Sequence, residues 1–358
     1  MEKSMKINFR LNKTLKSNII TYGIVIAAYI IVQLLVNAGQ VSNLMKGLLV
    51  PICIYTIMAI SLNLTVGILG ELSLGHAGFM CVGAFSSALF SISMLDAIPN
   101  AGIRFFFAIL IGAFFAALAG IVVGIPVLRL RGDYLAIVTL AFGEIIKNVI
   151  SVVYIGKDAS GLHFSTKNAM ALNMAKEGTV IINGAQGITG TPKNSTFTIG
   201  VILILITLVI VLNLIHSRSG RAIMSVRDNR IAAESIGINI TKYKLMAFTI
   251  SAALAGVAGV LYSHNLSALT ATQKNFGYNQ SIMILVFVVL GGIGNIRGSM
   301  IAAVLLTLLP ELLRGLNTYR MLIYAIILIV MMIFNWSPKL IDLRKRYFHK
   351  NRAEKERA

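Results

Sequence analysis

FTIGVILILITLVIVLNLI (197–215) contains no charged side chain. At 1.5 Å per residue, an α-helix of this length is about 28 Å long, close to the roughly 30 Å hydrocarbon core of a bilayer. YRMLIYAIILIVMMIFNW (319–336) is nearly as long and as apolar. The sequence shows none of the short, evenly alternating segments that are typical of membrane β-barrels. It therefore predicts an all-α fold, a polytopic transmembrane helical bundle.

The composition excludes a water-soluble domain. Of 358 residues, 57% are hydrophobic and 13% are charged, whereas about 25% of the residues in soluble domains are charged. A soluble core of this size cannot hide so much apolar surface. The two cysteines, Cys53 and Cys81, lie in apolar stretches, which indicates packing rather than a disulfide.

The apolar stretches predict about ten membrane spans. The two weakest, 281–295 and 298–316, are separated only by a tight turn around GNIRG, so eight spans plus a re-entrant hairpin is the alternative. An even number of spans places both termini on the same side. The predicted spans are 19–36, 47–69, 76–95, 105–128, 134–155, 197–216, 244–263, 281–295, 298–316 and 319–336.

The net charge of +19 raises the question of a nucleic-acid partner. The basic clusters, however, lie at the ends of the predicted spans, and one orientation places them all on the same side of the membrane. This positive-inside pattern sets topology and argues against nucleic acid. We expect a multi-pass plasma-membrane protein with both termini in the cytoplasm and a retained first span rather than a signal peptide. The predicted parts are a basic N-terminus (1–18), a transmembrane domain (19–336) with an extracytoplasmic loop (156–196) and a cytoplasmic loop (216–243), and a basic tail (337–358).

Within the cytoplasmic loop, RDNRIAAESIGIN (227–239) predicts a short helix. Asp228 or Asn229 could cap its start, and Gly237 could end it. Ala232 and Ala233 keep the helix thin enough to enter a groove on another protein. The alternative is an amphipathic linker that lies on the bilayer surface.

The same segment resembles the coupling loop of ABC importer permeases, although Ile231 stands where the general pattern has glutamate. Four further motifs resemble the branch of that family that transports branched-chain amino acids. They are NLTVGILGELSLGHAGFMCVGAF (63–85), LRLRGDYLAIVTLAFGEII (128–146), NGAQGITG (183–190) and VLGGIGNIRGSMIAA (289–303). The chain is therefore similar to branched-chain amino acid ABC transporter permeases, of the type that pairs with a second, related permease.

This resemblance implies a transporter subunit rather than an enzyme. Its implied partners are a second homologous permease, cytoplasmic ABC ATPase subunits, an extracytoplasmic substrate-binding protein and the lipid bilayer. ATP would bind to the partner ATPase, and this chain would hold no cofactor or metal; it has no G-x-x-x-x-G-K-[ST] phosphate loop. The implied ATPase-coupling residues are Arg227, Asp228, Arg230, Ala232, Ala233, Glu234 and Gly237. The implied substrates are leucine, isoleucine and valine, and near relatives carry urea, short amides or other amino acids.

GELSLGHAGF (70–79) interrupts an apolar stretch with polar residues and glycines. Such a break is costly at membrane depth unless protein or a water-filled cavity surrounds it. One interpretation is a break along the substrate path, formed by Gly70, Ser73, Gly75 and His76. The other is a glycine-rich packing seam in which His76 is a buried hydrogen-bonding group.

Glu144 lies ten residues after Tyr134, about 15 Å along a helix and thus near the middle of the membrane. Lys147 follows at i+3, so the two can form an ion pair. The pair could line the substrate path or be purely structural. An acid at this depth also leaves open a carrier that acts alone, with Glu144 as proton relay. An intramembrane enzyme ranks last, because no acidic cluster occurs at a membrane face.

Overall fold

The computed structural model describes residues 13–128, 134–158, 161–174 and 178–336. Most of the predicted N-terminal segment and the whole predicted tail (337–358) lie outside the described residues. Each predicted span coincides with a helix. The helices are α1 (Lys13–Asn37), α2 (Asn43–Asn63), α3 (His76–Ser93), α4 (Ala101–Val127), α5 (Tyr134–Val152), α6 (Phe197–His216), α7 (Arg218–Asp228), α8 (Arg230–Ser235), α9 (Ile240–Ser263), α10 (Gln273–Phe276), α11 (Tyr278–Gly291), α12 (Ile296–Leu312) and α13 (Arg320–Trp336).

The helical transmembrane bundle predicted from the sequence is confirmed. Among the described residues, eight helices are long and apolar enough to cross a membrane. The helix of the first weak prediction, α11, has 14 residues, which makes it only about 21 Å long. The turn around GNIRG is present between α11 and α12. Helix α13, with 17 residues, is also not among the eight, so the described bundle combines eight full-length spans with two shorter helices at predicted spans.

Polar caps fix where several helices begin. Asn100 accepts hydrogen bonds from the backbone N–H groups of Gly102 and Ile103 at the start of α4. Asn239 accepts one from Lys242 at the start of α9. These side chains satisfy backbone donors that have no partner inside the helix.

The packing centre of the bundle is α9, which lies against both α3 and α4. The crossing uses small residues: a Cβ built on Gly83 would meet the backbone of Gly256, and one built on Gly256 would meet Ala116. Small residues let helices approach closely in lipid, where dispersion contacts rather than the hydrophobic effect drive association. Large apolar side chains such as Phe79 and Phe248 fill the neighbouring space and are almost fully buried.

The segment predicted as a polar loop (156–196) contains regular structure that the sequence did not predict. It forms most of a five-stranded antiparallel sheet in the order β2-β1-β3-β4-β5. Its strands are β1 (Tyr154–Asp158), β2 (Gly161–Ser165), β3 (Thr179–Asn183), β4 (Ile188–Thr189) and β5 (Ala268–Leu269). Among the described residues, no strand is longer than five residues, which is too short for the alternation of apolar and polar residues that identifies strands in a sequence.

The bundle has two distinct ends. At the sheet end, β5 joins the sheet directly after α9, and Lys157 of β1 donates a hydrogen bond of 2.5 Å to the carbonyl of Ser93 at the end of α3. At the opposite end, which we call the loop end, α7 and α8 connect α6 to α9. Helix α6 therefore runs from the sheet end to the loop end, and α9 runs back from the loop end to the sheet end.

Candidate functional site

Between α2 and α3 the chain departs from a regular helix. Residues Leu64–Leu69 form a π-helical turn, a rare conformation that is frequent at functional sites. Gly70 follows with φ of +79°, and regular structure resumes only at α3. The break predicted from GELSLGHAGF is therefore present in the structure, and its start is a π-turn.

Side chains of α9 and α12 and the backbone of the turn between α11 and α12 hold this π-turn in place. Asn63 donates a hydrogen bond of 2.8 Å to Ser299 of α12 and accepts one of 2.8 Å from the backbone of Gly294. Thr65 donates to Ser251 of α9 at 2.8 Å. These buried bonds satisfy polar groups that would be costly to leave unpaired in a membrane protein.

The predicted short helix in residues 227–239 is present as α8. Of the two predicted caps, Asn229 is the one that acts, because it accepts a hydrogen bond from Ala232 N–H at 3.0 Å. Asp228 instead forms an ion pair of 2.8 Å with Arg227. Gly237 ends the helix with φ of +82°, and the N–H of Ile238 reaches back to the carbonyl of Ala233 at 3.0 Å. This is the hydrogen-bond pattern of a Schellman cap.

The surface of α8 is unusually apolar for an exposed helix. Ile231 is 81% exposed and Ile236 is 74% exposed. Ala233 faces the other way and is buried in a small cluster with Val226 and Ile240. The other predicted coupling residues are exposed: Arg227, Asp228, Arg230, Ala232, Glu234 and Gly237.

A hydrogen bond connects the end of α7 to the π-turn that follows α2. The guanidinium of Arg227 donates a hydrogen bond of 2.9 Å to the carbonyl of Gly67 in the π-turn. The aliphatic part of Arg227 lies where a Cβ on Gly70 would be. The sequence placed Arg227 and Gly70 in two separate candidate sites, and the structure brings them together. Two motifs that are so far apart in the chain carry no signal of this contact.

A buried ion pair fixes the segment after Gly70. Glu71 pairs with Lys244 near the start of α9, and the side chains are only 15% and 9% exposed. Sequence analysis did not select Lys244, because it reads as one more basic residue in a basic loop. Its partner shows that it is a structural cation between α9 and the break.

Ser73 and His76 are almost completely buried, at 0% and 1% exposure. The Nε2 atom of His76 lies 2.7 Å from the hydroxyl of Ser61 in α2. Between them, the backbone N–H of Leu74 donates to the hydroxyl of Thr139 in α5 at 3.0 Å. The start of α3 is therefore tied to both α2 and α5.

Glycines form the contact between α3 and α5. A Cβ on Gly75 would meet the backbone of Thr139, and one on Gly78 would lie 2.7 Å from the Cα of Gly143. The two backbones therefore touch at these glycines. Of the predicted path residues, Gly75 thus contributes close approach to α5.

The predicted ion pair between Glu144 and Lys147 is present at 2.6 Å. Glu144 also accepts a hydrogen bond of 2.8 Å from the backbone N–H of Tyr278, the first residue of α11. Gln273 of α10 contacts both charged groups. The carboxylate therefore lies at the N-terminus of the short helix, where the helix dipole stabilises negative charge. No local pattern in the sequence points to Gln273 or Tyr278.

Comparison with known proteins identifies relatives. Residues 44–334 match the family described as branched-chain amino acid transport system, permease component. The chain is 34% identical over 301 residues to the high-affinity branched-chain amino acid transport system permease protein LivM of Salmonella typhimurium, covering 80% of this chain and 67% of that protein. Identity to LivM of Escherichia coli is 35% over 302 residues, with the same coverage. LivH of Escherichia coli is 23% identical over 257 residues, which are 70% of this chain and 79% of LivH. No solved structure matches the chain.

Proposed function

This chain belongs to the branched-chain amino acid transport permease family, and on that premise we propose that it is the membrane-spanning subunit of an ATP-driven importer for leucine, isoleucine and valine. It supplies the substrate path and the coupling element. A separate ABC ATPase binds and hydrolyses ATP, and this chain carries no cofactor.

We place the loop end in the cytoplasm and the sheet end outside the cell. Basic residues at the loop end support this orientation through the positive-inside rule. They include Arg218, Arg221, Arg227, Arg230, Lys242 and Lys244. In this orientation both termini are cytoplasmic, and an extracytoplasmic binding protein delivers its substrate at the sheet.

The observation that carries the proposal is the hydrogen bond from Arg227 to Gly67. A coupling element must contact the ATPase on one side and the spans on the other. The exposed Ile231 and Ile236 of α8 offer an apolar surface to a partner, while Arg227 at the end of α7 holds the π-turn. Movement of α7 and α8 would therefore pull directly on the break in α2.

The proposed substrate path runs beside this break. It contains Gly70, Ser73, Gly75 and His76 from the break and the start of α3, and Glu144 from α5. The glycine contact between α3 and α5 supports this assignment, because glycines have no side chain that must repack when the two backbones separate.

A second, related permease is the proposed neighbour in the membrane. LivM and LivH are both named as permease proteins of a high-affinity branched-chain amino acid transport system, and this chain resembles both. We infer that it pairs with a different but homologous chain rather than acting alone.

Reconstitution tests the proposal. The permease pair, the ATPases and the binding protein are placed in liposomes, and uptake of radiolabelled leucine, isoleucine and valine is measured with ATP. Urea and a short amide serve as competing candidates. Uptake of the three amino acids that requires ATP and stops with a hydrolysis-deficient ATPase is the expected result. Uptake of urea alone would overturn the substrate assignment.

The rival function, a carrier that acts alone with Glu144 as proton relay, is tested in the same vesicles. The surroundings of Glu144 argue against it. A proton relay must be free to exchange its proton, whereas this carboxylate accepts hydrogen bonds from Lys147, Gln273 and the backbone of Tyr278. Transport by the purified single chain under a proton gradient, without ATP, would establish the rival and refute the coupling proposal.

A further inference from the structure

Two helix N-termini meet inside the bundle. The N–H of Ala77, in the first turn of α3, donates a hydrogen bond of 3.0 Å to the hydroxyl of Ser281, in the first turn of α11. The first residue of α11, Tyr278, bonds to Glu144, which lies about 15 Å along α5. Both helices therefore begin at depth in the bundle. The N-terminus of a helix carries partial positive charge, and half-helices in transporters direct it at anionic substrate groups.

Polar atoms without partners mark the start of α3. The hydroxyl of Ser73 and the Nδ1 atom of His76 are buried, and neither has a hydrogen-bond partner among the described residues. A buried polar atom without a partner is costly, so such atoms are rare in folded proteins. Two of them, three residues apart at one helix start, indicate a ligand that supplies the missing partners.

The hydrogen bonds of Ser61 define which partner His76 needs. Ser61 donates its one hydroxyl proton to the carbonyl of Met58 at 2.9 Å. The His76 tautomer that fits this bond donates from Nε2–H to the Ser61 hydroxyl, 2.7 Å away, and leaves Nδ1 with a lone pair. His76 consequently needs a donor from the ligand, whereas the hydroxyl of Ser73 can donate to an acceptor.

The ion pair of Glu144 and Lys147 lies near the same point, because Glu144 accepts from the N–H of Tyr278, one turn before Ser281 on α11. Gly143 packs on Gly75, such that a Cβ on Gly143 would be 3.1 Å from the Cα of Gly75. Glu144 is the next residue in the chain, and its side chain is 23% exposed. A zwitterion can therefore direct its carboxylate at the helix N-terminus and its ammonium at the carboxylate of Glu144, which it would share with Lys147.

We propose that the start of α3 is the binding site for the head group of the transported α-amino acid. The substrate carboxylate binds at the helix N-terminus and accepts a hydrogen bond from Ser73. The substrate ammonium donates to Nδ1 of His76 and is attracted by Glu144. This proposal rests on the proposed function and names the site at which that function recognises its substrate. Separation of α3 from α5 along the glycine contact opens the site.

Direct binding tests the proposal. The assembled transporter in detergent is titrated with radiolabelled leucine. Two analogues are tested as competitors: 4-methylpentanoate, which lacks the ammonium, and leucinamide, which lacks the carboxylate. Ser73→Ala should weaken leucine binding about tenfold, as expected for the loss of one hydrogen bond to a charged group. His76→Gln, in which the amide nitrogen can keep the bond to Ser61, should weaken it by a similar factor. His76→Asn, which keeps a polar atom near the Nδ1 position, should bind better than His76→Gln. Both analogues should compete at least tenfold more weakly than leucine.

Ser86→Ala is the matched control. Ser86 lies on the same helix, and within the described part of the chain its hydroxyl bonds only to carbonyls of that helix, those of Val82 and Gly83. It should bind leucine as the wild type does. Wild-type affinity in both Ser73→Ala and His76→Gln, or equal competition by leucinamide and leucine, would overturn the site. If the wild-type transporter takes up no leucine with ATP, the proposed function itself fails.

Discussion

Replacement of Arg227 by methionine should uncouple ATP hydrolysis from transport. Methionine keeps an apolar chain beside Gly70 but removes the hydrogen bond of 2.9 Å to the carbonyl of Gly67. A hydrogen bond from a charged donor contributes about 1.5–3 kcal/mol, and the lower end applies because the side chain is 35% exposed. Since 1.4 kcal/mol corresponds to a factor of ten, the amount of leucine moved per ATP should fall about tenfold.

The assay measures leucine uptake and ATP hydrolysis on the same proteoliposomes. Hydrolysis should stay within about twofold of the wild type, because Arg227→Met leaves the outer surface of α8 intact. Arg221→Met is the control: Arg221 lies on the same helix, but it donates to the carbonyl of His216 at the loop end rather than to α2. An unchanged ratio of leucine to ATP in Arg227→Met would refute the view that this contact transmits movement.

Three further changes test neighbouring parts of the account. Glu71→Gln should destabilise the chain by about 3 kcal/mol, because it leaves Lys244 buried without its partner; a wild-type melting temperature in detergent would contradict this. Gly78→Ala should lower the free energy of unfolding by about 1–3 kcal/mol, because its methyl group meets the backbone of α5. The control, Gly47→Ala, meets nothing within 4 Å and should leave stability unchanged. Equal melting temperatures of the two variants would exclude the close contact. Gly237→Val should reduce ATP-driven uptake more than Gly237→Asn, because φ of +82° strains a β-branched residue most; equal uptake would show that the cap geometry is unimportant.

The helical architecture could be predicted because a long apolar stretch in a membrane must pair its backbone N–H and C=O groups within itself, which an α-helix does. The local sequence predicted that either Asp228 or Asn229 caps α8. Only the structure shows which one does, since both residue types cap helices well. The sheet was missed because its strands are short and its fifth strand, Ala268–Leu269, comes from another part of the chain.

The candidate sites were predictable one motif at a time but not in combination. Local patterns identified the break at Gly70, the acid at Glu144 and the short helix α8. The residues that contact these sites come from distant parts of the sequence: Lys244 pairs with Glu71, Tyr278 donates to Glu144, and Gly67 accepts from Arg227. Such contacts depend on tertiary packing, which leaves no periodicity in a single sequence.

Labelling of Ile231→Cys in membrane vesicles tests the central claim, that α8 lies in the cytoplasm against the ATPase. The native Cys53 and Cys81 are 1% and 0% exposed, so they should add little background. A membrane-impermeant maleimide should label the new cysteine in inverted vesicles that lack the ATPase subunits, and assembly with those subunits should protect it. Labelling in right-side-out vesicles, or labelling that the ATPases leave unchanged, would contradict the account.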